Sequence, residues 1–105
     1  MGDGHAPLLG LIGLGYRGGR IVVGVDAVRR ELQAGKCWCV VVAEDASPRA
    51  VEKVVRLAAA KQVPILAGPR AVAIGAQLGK PPVMAVGVRD RALAGGMVPR
   101  APVRS

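Results

Sequence analysis

Five basic residues stand between positions 17 and 36: Arg17, Arg20, Arg29, Arg30 and Lys36. They surround a connection that ends at Gly24, where the spacing predicts that a helix opens. A helix N-terminus offers unsatisfied N–H groups and the positive end of the backbone dipole, and both suit phosphate. Flanking guanidinium groups add bidentate contacts to phosphate or to guanine. The chemistry implied is the binding of a polyanion, RNA or DNA first. The plainer reading is a solvated basic face with no partner.

Other constellations carry less. Gly13-x-Gly15-x-x-Gly18 has dinucleotide-fingerprint spacing, which requires a strand before it and a helix opening within it. Here Ile21-Val22-Val23 follows and reads as a strand, and Asp26 comes too early for a ribose contact. Cys37-x-Cys39 places both thiols on one face of a strand. A metal site needs two more ligands, and the single His is His5 near the N-terminus. Core cysteines are expected. Glu44 and Asp45 precede a helix start and suit its dipole. With two Ser, one His, no Asn and no Thr, no catalytic residue, metal site or cofactor is expected, and the chain reads as a non-enzyme.

The whole composition points the same way. The chain has 105 residues, with 15 Lys and Arg against 7 Asp and Glu, a net charge of +8 and a pI near 10.8. Such a field favours polyanions. Apolar residues are 51% and aromatics 2%, so a core is affordable but must be aliphatic. No apolar run approaches the roughly 20 residues of a membrane span. No signal peptide and no disulfide framework is evident, and a reduced, cytoplasmic setting is expected.

The elements that must position the basic cluster follow from periodicity. Leu8, Leu9, Ile12 and Tyr16 share one face of a first helix. A short strand follows at 21–23, then a helix at about 25–34 with Val28 and Leu32 inward and Gly35 as its stop. Residues 37–43 form a continuous apolar run, expected as a strand covered on both faces. Ser47 is a natural N-cap and Pro48 a first helical residue for a helix at about 48–61, with Val51, Val54, Val55 and Ala58 inward. A strand at 63–66, a small helix at 70–78, a rigid Lys80-Pro81-Pro82 loop, a strand at 83–88 and a last helix at 90–97 complete the order. This alternation implies a single-domain three-layer α/β/α sandwich over a small four-stranded mixed sheet. The domain spans 1–105, with a core of about 6–98 and a basic, frayed tail at 99–105.

The same residues resemble a known family. Arg17-Gly18-Gly19-Arg20, Val23-Gly24-Val25-Asp26-Ala27-Val28, Gly35-Lys36, Val40 to Pro48, Val63-Pro64-Ile65 and Leu78-Gly79-Lys80-Pro81 follow the order of the ribosomal protein superfamily of L7Ae and L30e. The resemblance covers about residues 6–98 and is nearest to the bacterial YlxQ-type members. It implies the α/β/α fold, no catalysis, and binding of structured RNA, ribosomal or kink-turn-like. In kink-turn readers of the family the second helix opens with Gly, a small residue and Asn-Glu, with a Lys three residues on. In register, Gly24 matches the glycine and Arg30 the lysine. Asp26 stands at the Asn position and Ala27 at the Glu position. Ala27 has no acceptor for a guanine N–H, and Asp26 has no donor, although it would be well placed as an N-cap.

The expected RNA-binding set is Arg17, Arg20, Gly24, Val25, Asp26, Ala27, Arg30, Lys36, Lys80, Pro81 and Pro82. The expected partners are structured RNA and ribosomal proteins, for a monomer with no membrane role. The competing reading is a ribosome-associated scaffold that binds protein.

Overall fold

The centre of the molecule is a strand of Cys and Val with no exposed side. In the computed structural model, which describes residues 6–98, β2 (Cys39–Val42) is buried at all four positions. Strands buried on both faces need helices on both faces. Val40 and Val42 pack into one aliphatic cluster, and Cys39 and Val41 into the other.

The element order is α1 (Ala6–Arg17), β1 (Ile21–Val23), α2 (Val25–Gln33), β2, α3 (Pro48–Ala60), β3 (Ile65–Ala67), α4 (Ala71–Leu78), β4 (Ala85–Val88) and α5 (Arg91–Met97). The four-stranded sheet has the order β1-β4-β2-β3. β2 and β3 are parallel, and β4 is antiparallel to both β1 and β2. Leu8, Ile12, Ile74, Leu93 and Met97 bring α1, α4 and α5 onto one face. Val28, Leu32, Val54 and Ala58 bring α2 and α3 onto the other. The three-layer α/β/α sandwich with a mixed sheet is the architecture expected from the alternation.

Local chemistry places most element ends where the sequence implies. The Ser47 hydroxyl accepts from the Ala50 N–H at 3.2 Å, with Pro48 opening α3. At the end of α2, Lys36 N–H donates to Glu31 at 3.0 Å and Gly35 N–H to Leu32 at 3.1 Å, with Gly35 at φ 71°. This paired pattern satisfies two terminal carbonyls.

Several expectations are corrected. Of the face shared by Leu8, Leu9, Ile12 and Tyr16, Leu8 and Ile12 are buried, Leu9 is half-buried and Tyr16 is 38% exposed. The inward face of α1 is turned towards Gly13 and Gly15, because side chains from Gln77, Leu93 and Ile21 occupy the space where a Cβ would stand. β2 is shorter than the apolar run: Cys37 and Trp38 lie outside it. The two thiols therefore do not share a face. Cys37 packs with the α2/α3 cluster and Cys39 with the opposite one, since period-two alternation does not extend to a residue outside the strand. β4 starts at Ala85 because Val83 N–H is committed to Ala71 O, 3.0 Å away. His5 and the expected tail at 99–105 lie outside the described residues.

The C-terminus of α3 repeats the closing pattern of α2, with Gln62 N–H to Ala59 O and Val63 N–H to Ala58 O. The left-handed position is held here by a non-glycine residue, Gln62 at φ 59°. A side chain there costs about 1 kcal/mol that glycine does not incur. Gln62→Gly should therefore stabilise the protein by up to about 0.5 kcal/mol, once the added freedom of the unfolded chain is set against that cost. Urea unfolding at constant m-value checks this.

Candidate nucleic-acid interface

Strand polarity divides the molecule into two ends. At one, β1, β2 and β3 finish and β4 begins; at the other they begin and β4 finishes.

The first end holds the opening of α2. Gly24 is its N-cap, with φ 100° and ψ 152° and no side-chain cap. This conformation is open to glycine and strained for other residues. Gly24 N–H donates to Ala85 O at 2.9 Å and Val28 N–H to Gly24 O at 3.0 Å. The backbone is thus clipped to β4. Asp26 sits in the first turn and is exposed; it is not the N-cap, because Gly24 takes that position. Its charge still suits the helix dipole.

Adjacent loops are tied to this end by backbone hydrogen bonds. Ala43 N–H donates to Met84 O at 2.8 Å, Glu44 N–H to Pro69 O at 3.1 Å, and Gly68 N–H to Val42 O at 2.8 Å. Asp45 Oδ1 accepts from the Ala71 N–H at 2.8 Å, and Arg70 Nε lies 4.0 Å from its other oxygen. Asp45 is therefore a dipole partner, but of α4 across the loop instead of α3, the helix that follows it in sequence. Exposed Pro82, Met84 and Val72 belong to the same neighbourhood.

The expected set does not come together as one site. Gly24, Val25, Asp26 and Ala27 share the first end, with Pro81 and Pro82 on the loop returning to β4. Arg30 is exposed and lies about 9 Å along α2 from Gly24, at 1.5 Å per residue. Arg17, Arg20 and Lys36 stand at the opposite end. Arg20 is separated from Gly24 by the length of β1, about 13 Å at 3.3 Å per residue. Lys80 is also at the far end, because α4 carries the chain back there. Its ammonium lies 5.5 Å from the centre of the Tyr16 ring. The loop after it runs against α4 so closely that a Cβ on Gly75 would meet the Pro81 carbonyl.

Sequence reasoning missed part of the far end. Trp38 is 50% exposed, with the Arg91 guanidinium 5.5 Å from its ring centre. Arg20 pairs with Asp90 at 3.3 Å and Arg89 with Glu31 at 3.0 Å. The available signal was Arg89-Asp90-Arg91 directly after a strand, beside the sole Trp. A third basic surface, a groove of about 450 Å³ between α2 and α3, is lined by Arg29, Arg49, Lys53 and Arg56, with Glu52 as its acidic member.

Catalytic features are sparse. Among the described residues no polar or charged side chain is buried, and no group of three or more His, Cys, Asp or Glu could hold a metal ion. No helix among them is long and apolar enough to cross a membrane. Burial pushes the Cys37 thiol up to about 11 and the Cys39 thiol up to about 12, so both are held as neutral thiols.

Fold and surface together define a small α/β/α domain with an open helix N-terminus and a basic exterior. The chain belongs to the Ribosomal protein L7Ae/L30e/S12e/Gadd45 family, whose model matches residues 9–94. A protein of unknown function from Bacillus halodurans C is 26% identical, with a TM-score of 0.76 over 85% of this chain and 94% of that one. The Giardia lamblia 15.5kD RNA binding protein is 21% identical, with a TM-score of 0.72 over 95% of this chain and 93% of that one, a likeness of fold. No curated protein sequence matches the chain.

Two predictions follow from this geometry. Asp45→Ala removes the side-chain acceptor of the Ala71 N–H at the start of α4 and should cost about 1 kcal/mol, within the 0.5–2 kcal/mol range for caps; Asp45→Asn should recover most of it. The check is chemical denaturation of both variants. The thiols give a pH dependence. Their folded pKa values lie above the ordinary value of 9.0, so their contribution is complete below pH 9. It is lost as pH rises towards 11–12, where the unfolded chain releases protons that the folded one keeps. The urea midpoint should fall between pH 8 and pH 10, and less steeply in Cys39→Val.

Proposed function

We propose that the protein binds structured RNA, ribosomal or kink-turn-like, as a non-catalytic, cytoplasmic ribosomal-type protein nearest to the YlxQ-type members of its family. Membership of the L7Ae/L30e/S12e/Gadd45 family over residues 9–94 carries the reading. The uncapped start of α2 at Gly24 supports it. In this reading the first-turn N–H groups of α2 meet the RNA backbone, Arg30 neutralises a neighbouring phosphate, and the Pro81-Pro82 loop flanks them. Asp26 and Ala27 supply no matching edge for sheared G·A pairs, so backbone attraction dominates over base reading. Arg17, Arg20, Lys36 and Lys80 act on RNA that extends past the far end.

A second reading, a ribosome-associated scaffold that binds protein, draws on the exposed apolar side chains Val72 and Met84. It expects ribosome association to survive Arg→Ala changes at Arg17, Arg20 and Arg30.

The test is a salt titration against three RNAs: a kink-turn, the same stem without its G·A pairs, and a plain duplex. Binding should weaken steeply, with a log–log slope of about −2 to −4 for three to five phosphate contacts. A flat response would overturn the reading. Asp26→Asn with Ala27→Glu should add about tenfold preference for the kink-turn, which is the worth of one bidentate base contact.

A further inference from the structure

The chain has two described aromatic residues, and the fold brings both to the end opposite Gly24. Tyr16 is in the last turn of α1 and Trp38 immediately precedes β2. Neither is in the core: they are 38% and 50% exposed. Each has a cation over its ring at 5.5 Å, Lys80 on Tyr16 and Arg91 on Trp38. Both rings stand outside the two aliphatic clusters, where a ligand can reach them.

The charge at this end is one-sided. Arg17, Arg20, Lys36, Lys80, Arg89 and Arg91 gather there against Asp90 and Glu31, which are already paired with Arg20 and Arg89. At the Gly24 end, by contrast, Asp26, Glu44 and Asp45 offset Arg49 and Arg70. The groove between α2 and α3 is basic but has no aromatic residue. Cations together with exposed rings are what single-stranded nucleic acid requires: cations follow the phosphates, and every base has a face that stacks on an aromatic ring. The Arg91 guanidinium over Trp38 is itself a planar surface on which a base can stack. A duplex conceals its base faces and uses only the cations.

We propose that the end of the sheet where β1, β2 and β3 begin is a second nucleic-acid surface, taking unpaired nucleotides by stacking bases on Trp38 and Tyr16 while the surrounding cations hold the phosphates. This rests on RNA as the class of partner but not on contacts at Gly24. The protein then grips an RNA at two ends of one sheet, the helix N-terminus on a folded segment and the aromatic end on an unpaired one.

Trp38 is the sole Trp, so its own emission reports the contact. The full chain is titrated with a single-stranded twelve-residue oligouridine and with a twelve-base-pair RNA duplex. Oligouridine should quench Trp38 and the duplex should quench it less. Trp38→Ala should weaken oligouridine binding, followed by anisotropy of the labelled strand, by about fivefold or more, the lower range for one stacked base. Trp38→Phe should retain most of the affinity, and Tyr16→Ala should produce a loss comparable to that of Trp38→Ala. Duplex affinity should change less than twofold in these variants. Unchanged emission at saturating oligouridine, or unaltered affinity in both alanine variants, would overturn the proposal. So would equal quenching by polyglutamate of matched charge, which would assign the surface to an acidic protein. Loss of kink-turn binding with intact oligouridine binding would overturn the Gly24 reading alone.

Discussion

Burial of the central strands on both faces is the constraint on which the rest depends. β2 and β4 are buried at every position, so neither can lie on the surface of a two-layer fold. Helices must cover each face, and the aliphatic clusters on the two sides supply the contacts. β4 then enters between β1 and β2 and runs against both. That reversal sets which loops meet. It puts the start of β4 beside the end of β1, and so clips Gly24 to Ala85.

Main-chain bonds tie the connections at the Gly24 end together, with Asp45 adding a side-chain tether. Ala43 to Met84, Glu44 to Pro69 and Gly68 to Val42 cross between loops, and Asp45 reaches across to the first N–H of α4. Backbone tethers of this kind make the α2 opening a fixed surface, which matters because a preorganised surface spends less ordering entropy on binding. The strained Gln62 lies at the other end of α3, away from this region.

Charge and surface chemistry are distributed unevenly over the scaffold. The family register directs attention to the helix opening, where acidic and basic side chains nearly balance. The excess cations are on the α2/α3 flank and at the far end, where both aromatic rings stand. Long-range attraction and local recognition therefore need not occupy the same surface: the field of the whole molecule brings RNA close, and short-range contacts select which segment docks.

By itself the sequence determined the elements and their order. Periodicity, Ser47-Pro48 and Gly35 are local signals, and local backbone chemistry obeys them. The continuous Cys-Val run required cover on both faces, and the α/β/α layering follows from that. The motif order from Arg17 to Pro81 carried the family. Only the tertiary structure decided which residues share an end, because strand polarity is a property of the sheet and not of the neighbouring sequence. Arg20 and Gly24 are four residues apart and stand at opposite ends, whereas Asp45 and Ala71 are distant in sequence and hydrogen-bonded. Tyr16 shares a helical face with Leu8 and Ile12 in the sequence pattern yet is exposed, while Gly13 and Gly15 take buried positions with neighbouring side chains where their Cβ atoms would stand. Trp38 read as part of a buried strand, and it is exposed because β2 begins one residue later.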